Sequence, residues 1–207
     1  MQHRHIVFCL SLLSSAYAGA TGIAVQVQDA TGKALPDTVI YIEPESGSAG
    51  GKPAAALIEQ KGLKFMPLVT VVQTGATINF PNNDKVRHHI YSFSPAHKFD
   101  QKLYSGQSAS PQVFDKAGTV VLGCNIHDKM IAYIKIVDTP YFAKTDGAGA
   151  ARIELPAAGK YVVKAWHYNT AGGATPEQVL MVKAGDTLST AVFKLPMKPI
   201  AADDAAL

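Results

Sequence analysis

Charge is scarce in this 207-residue chain: Asp, Glu, Lys and Arg together make up only 17% of it. That excludes charge-rich disorder, coiled coil and long solvated helices. There is no Lys/Arg run, and 19 basic residues face 16 acidic ones, which excludes nucleic acid as the main partner. Beyond the first twenty residues no stretch is apolar enough to cross a bilayer, and none repeats for long with a period of 3.6. Cysteine is nearly absent, with Cys9 and Cys124 the two in the chain. Turn formers are plentiful: 17 Gly and 12 Pro are spread along the sequence. Many turns and few helical runs predict an all-β architecture.

The N-terminus reads MQHRHIVFCLSLLSSAYAGA. A weakly positive start at Arg4, an apolar core from Ile6 to Leu13, and small residues at Ala16, Ala18 and Ala20 mark residues 1–20 as a cleavable export signal. The apolar core is too short to span a membrane. The expected location is the periplasm, with no membrane span after cleavage. Cleavage removes Arg4 and Cys9, lowers the net charge from +3 to +2 and leaves Cys124 as the one cysteine. Exported proteins normally pair their cysteines, so a lone thiol there must be buried, reactive or bound to something.

Alternating segments bounded by turns predict strands at 23–29, 38–44, 64–72, 76–80, 86–93, 119–123, 130–137, 151–155, 160–168, 178–182 and 188–195. Residues 44–56 read as a small-residue linker. Residues 96–111 are polar and carry Gly and Ser, which predicts a loop with a short helical turn.

The stretch Cys124-Asn-Ile-His127-Asp-Lys-Met130 places a thiolate, an imidazole and a thioether within seven residues, between two predicted strands. Arg87-His88-His89 supplies a further imidazole at the start of a strand. Two imidazoles and a thiolate with a weak axial thioether make a blue-copper donor set: the sulfurs suit Cu(I) and the imidazoles keep Cu(II) acceptable. Neighbours on a strand point to opposite faces, so His88 and His89 cannot both be ligands. Each of these residues also has a plain structural reading: an inert buried thiol for Cys124, a loop residue for His127, core packing for Met130. No second cysteine is present in the loop for a binuclear centre.

Residues 57–138 resemble the cupredoxins. Gly75-Ala-Thr-Ile-Asn-Phe, Asn83-Asp84 and then His88 are similar to that family's run up to its first histidine ligand. Cys124-x2-His127-x2-Met130 has the short ligand-loop spacing of amicyanin, and Met130 to Ile136 resembles the closing strand. The resemblance implies a Greek-key sandwich and one mononuclear copper ion held by His88, Cys124, His127 and Met130. His88 is preferred to His89 because His88-His89-Ile90 matches the family's his-asn-val order. The chain departs from many relatives in having Gly123, not an aromatic, before the cysteine, and no proline inside the loop. With SFSP, GCNIHDKM and DTPYF, the whole chain resembles exported cupredoxin-like proteins labelled methylamine utilization proteins.

The flanks resemble a different module. Ile23 to Ile42 is similar to the opening of carboxypeptidase-regulatory-like (transthyretin-like) sandwiches, whose continuation reappears only at Thr145-Asp146 and Leu155-Pro-Ala-Ala-Gly-Lys-Tyr161. The expected organisation is a signal (1–20), a first sandwich part (21–56), a cupredoxin domain (57–138) and a second sandwich part (139–207). Tandem modules, or a cupredoxin with decorated ends, are the alternatives. The expected function is one-electron transfer, without enzymatic activity, to or from a cytochrome or dehydrogenase. Copper handling without electron transfer, a non-metal interaction module, and a thiol enzyme using Cys124 and His127 are the competing classes.

Overall fold

The structure, a computed structural model, describes residues 21–47, 50–105, 110–186 and 188–199. The export signal assigned to residues 1–20 lies outside the described residues. Strands β1 (Thr21–Asp29) and β2 (Val39–Pro44) come first. The central run holds β3 (Ala56–Leu57), β4 (Glu59–Gln60), β5 (Phe65–Met66), β6 (Val69–Gln73), β7 (Ala76–Asn79), β8 (His88–Ser92), β9 (Phe99–Tyr104), β10 (Gln112–Phe114), β11 (Gly118–Gly123) and β12 (Ile131–Val137). Then come β13 (Phe142–Lys144), β14 (Ala150–Leu155), β15 (Gly159–Trp166), β16 (Glu177–Val182) and β17 (Ser189–Leu195). The one helical element among the described residues is a single 3-10 turn, Ala171–Gly173. The protein is all-β.

The N-terminal strands are interleaved with the C-terminal ones. β1 lies between β14, antiparallel, and β17, parallel. β2 lies between β13 and β15, with β16 beyond, all antiparallel. The alternation in β1 turns Ile23, Val25 and Val27 inward, and they share one core with Ile40, Ile42, Val163, Ala191 and Phe193. Neither N-terminal strand could bury its face without partners more than a hundred residues away in the chain.

The central run forms a second sandwich. Five strands in the order β6-β12-β11-β8-β9 face three in the order β10-β7-β3. Ile78 and Phe114 from the smaller sheet pack with Ile90, Leu122, Ile134 and Ile136 from the larger. Each such side chain contributes about 1.5–3 kcal/mol relative to exposure.

The two sandwiches share a third cluster. Val39, Tyr41 and Trp166 on one side meet Val69 and Val137 on the other. That explains two runs that do not alternate cleanly, VIYI in β2 and IAYIKIV in β12. In β2, Ile40 and Ile42 fill its own core while Val39 and Tyr41 face the other sandwich. In β12, Ala132, Ile134 and Ile136 point inward while Tyr133 and Val137 face outward to the shared cluster. Lys135 lies over the rings of Tyr41 and Trp166, 5.5 and 5.6 Å from their centres. Burial, with nearby Lys164 adding to it, pushes the Lys135 ammonium below its usual pKa.

The segment 96–111 differs from expectation. Its described part holds strand β9, paired with β8, not a loop with a helical turn. β9 is an edge strand carrying Asp100, Gln101 and Lys102, and its pairing shifts register between His88 and Ile90. Polar side chains on a half-covered edge hide the period of two. The expected strand over 64–72 is two strands, β5 and β6, separated by Pro67 and Leu68; proline has no N–H to give a ladder.

Candidate metal centre

The loop 124–130 joins two antiparallel neighbours, β11 and β12, paired through Gly123 and Ile131. Cys124 leaves the end of β11 and Met130 stands just before β12, so both are fixed by the same ladder. A tight turn closes the loop, with the Met130 N–H donating to the His127 carbonyl at 2.9 Å. β8 runs on the other side of β11, pairing Tyr91 with Gly123. His88, the first residue of β8, is thereby carried to the same end of the sheet.

The three donors converge. One ring nitrogen of His88, one of His127 and Cys124 Sγ all lie within 4.8 Å of one another. Cys124 Sγ and His127 Nδ1 are 3.7 Å apart, and the two imidazole rings are 5.0 Å apart between centres. An ion with bonds of about 2.0–2.3 Å separates its trigonal donors by roughly 3.5–4 Å, so this spacing fits a shared ion. His88 is wholly buried and Cys124 is 3% exposed, while His127 is half-buried. Met130, at 1% exposure, belongs to the same buried cluster as Cys124.

The alternation of β8 separates the two adjacent histidines. His88, Ile90 and Ser92 point inward, and His89 and Tyr91 outward. His89 takes Asp100 on the edge strand as its partner and does not reach Cys124. His97 packs against Phe99 and Phe114, and His167 stacks on Tyr168 in the other sandwich.

A carboxylate stands beside the cluster. Asp84 Oδ2 lies 2.7 Å from His88 Nε2. The same carboxylate accepts the N–H of Gly62 at 2.7 Å and of Leu63 at 3.0 Å. Burial opposes its ionisation, but the N–H groups of Leu63, His88 and Gly62 outweigh that and hold the carboxyl below the usual aspartate value. Asp84 is itself set by Asn82, which is buried, accepts the Asp84 N–H at 3.0 Å and donates to the carbonyls of Val86 and Tyr104. The sequence places Asp84 in the run that leads to His88, but nothing in that run says that its carboxylate meets the imidazole.

His88 Nδ1 has no hydrogen-bond partner although it is fully buried. Buried polar atoms are nearly always satisfied, so an unpartnered imidazole nitrogen on a histidine beside a thiol and a second imidazole fits a metal-binding donor set. The donor set is soft and neutral to singly anionic, which fits copper and fits Mg²⁺ or Ca²⁺ poorly. A surface groove of roughly 550 Å³ adjoins the centre, walled by Tyr91, Phe93, Val121, Gly123, Cys124 and Met130.

No protein-family model matches the chain, and no curated protein matches it. Among solved structures it is similar to a copper-containing nitrite reductase from Thermus scotoductus SA-01, at 23% identity and a TM-score of 0.38, over 45% of this chain. The matched part spans only 25% of that reductase. It is also similar to a purple cupredoxin from Nitrosopumilus maritimus, at 20% identity and TM-score 0.35, over 39% of this chain and 98% of that one. Amicyanin from Paracoccus versutus aligns at 15% identity and TM-score 0.36, over 46% of this chain and 97% of that one.

Proposed function

We propose that this is an exported copper protein of cupredoxin type that carries single electrons. The observation behind the reading is the buried, unpartnered Nδ1 of His88 beside Cys124 and His127. His88 Nδ1, Cys124 Sγ and His127 Nδ1 would hold one copper ion, with the Met130 sulfur as a weaker fourth donor. Copper in such a set supplies a Cu(II)/Cu(I) couple. The chain's part is to keep the donors still: three of the four sit on a loop clamped between β11 and β12, and the fourth on an adjacent strand. Fixed donors resist the change of geometry that each oxidation state would otherwise prefer, and that lowers the barrier to electron exchange. Half-buried His127, next to exposed Ile126, is the edge through which a cytochrome or dehydrogenase would exchange electrons.

In this reading residues 1–20 are removed on export to the periplasm, residues 57–138 form the copper domain, and 21–56 with 139–207 form one sandwich into which it is inserted. The pairing of β1 with β14 and β17 supports the insertion. The protein is a carrier and not an enzyme.

The test is the visible and EPR spectrum of the mature protein with Cu(II), followed by cyclic voltammetry. A thiolate-to-copper charge-transfer band and a reversible wave with Cu(I) retained are expected. Loss of copper on reduction would replace electron transfer with copper handling, and no copper binding at all would overturn the reading.

A further inference from the structure

The two nitrogens of His88 have different surroundings: Nε2 lies 2.7 Å from Asp84 Oδ2, and Nδ1 is buried without a partner, on a ring with a nitrogen within 4.8 Å of the Cys124 and His127 donors. Both oxygens of Asp84 accept backbone N–H groups, Gly62 on Oδ1 and Leu63 on Oδ2, an arrangement that suits the ionised carboxylate, which can only accept. The hydrogen between Asp84 and His88 therefore belongs to Nε2.

We infer that Asp84 is a positioning residue of the metal centre, which locks His88 in the Nε2–H tautomer and so presents the Nδ1 lone pair to Cys124 and His127. This rests on the proposed function for what binds there, but the tautomer lock is a property of the chain alone. The lock is built from three segments. Lys61 and Lys64 bond to each other through their backbones around Gly62 and Leu63, which both have positive φ, 63° and 60°. That is the backbone of a type I′ hairpin turn, in which a leucine is unusual. The Asp84 carboxylate accepts both central N–H groups of this turn, so one side chain holds the β4–β5 hairpin and aims the imidazole. A carboxylate behind a ligating imidazole makes it a stronger donor, and loss of such a partner typically costs about 10–100-fold in metal affinity.

The test begins with metal-free protein. A proton–nitrogen correlation spectrum of the histidine rings should show His88 protonated on Nε2 in the wild type. In Asp84→Ala the two tautomers should mix. Asp84→Asn keeps the size of the side chain and removes its charge, so it serves if the alanine variant does not fold. Copper titration should show affinity reduced about 10–100-fold in either variant, and the reduction potential should rise in Asp84→Asn because the negative charge behind the imidazole is gone. Asp100→Ala, which frees His89 alone, should change none of these. An Nδ1-protonated His88 in the wild type, or variants with unchanged tautomer, affinity and potential, would overturn the inference. A wild type that binds no copper would refute the proposed function, and the tautomer spectra would still decide the role of Asp84.

Discussion

The Tyr91 ring lies against Gly123 so closely that a Cβ at position 123 would come within 2.8 Å of Tyr91 Cζ and Oη. The two residues are paired across β8 and β11, and Gly123 directly precedes Cys124. Where the sequence lacks an aromatic before the cysteine, the neighbouring strand lays one over the gap. Gly123→Ala should therefore overpack the site and cost about 1–3 kcal/mol in thermal or denaturant unfolding. Adding Tyr91→Ala should recover part of that loss, because the clash needs both side chains. Additive losses in this double-mutant cycle would show that the contact is not what forbids the alanine.

Cys124→Ser should abolish the thiolate-to-copper absorption while leaving the fold intact, since serine is close in size and the position is buried. His88→Ala should weaken copper binding and His89→Ala should not, because only His88 is turned toward Cys124 and His127. Met130→Leu conserves volume in the core, so its stability should change by less than about 1.5 kcal/mol, with copper retained and the potential shifted. Copper titration followed by absorption checks all four variants.

His167 gives the sandwich outside residues 57–138 a pH dependence of defined sign. Burial pushes its pKa below the ordinary 6.5, against an opposing pull from Asp37. Its Nδ1 accepts the Asn169 N–H at 3.1 Å, a bond that protonation there would break. The folded value lies below the unfolded one, so its contribution is complete above pH 6.5 and is lost as pH falls through the folded value. Melting curves from pH 7.5 down to 5 should show the wild type losing stability faster than His167→Gln. Parallel curves would remove His167 as the cause.

Ile23 on β1 and Phe193 on β17 fill one core, whereas Ile78 on β7 fills the other. Ile23→Ala should cost about 2–5 kcal/mol and Phe193→Ala about 3–5 kcal/mol. Both should lower the same unfolding transition, although the two residues lie near opposite ends of the chain. Ile78→Ala should act on the transition reported by the copper absorption. If Ile23→Ala and Phe193→Ala moved different transitions, the two ends would not form one unit.

Much of this is written locally. Turn-bounded alternation marks most of the strands, because period-two burial and Gly/Pro turns act over a few residues. The edge strand β9 is missed for the converse reason, that half of its side chains are exposed and none is fully buried, which leaves no apolar alternation to read. The spacing of Cys124, His127 and Met130 is equally local, since one short loop between paired strands must bring its members close together. The sequence also establishes that His88 and His89 point to opposite faces of a strand.

Which of those faces is the inner one was left to tertiary structure, through the pairing of β8 with β11 and β9. So was the place of β1 between β14 and β17, which joins segments more than a hundred residues apart. The three N–H groups gathered on Asp84 and the ring of Tyr91 over Gly123 belong to the same class. In each case the partner is chosen by which surfaces bury each other best, and that choice leaves no periodic trace in the chain. Spacing determines what a loop or a strand can offer; packing determines what it meets.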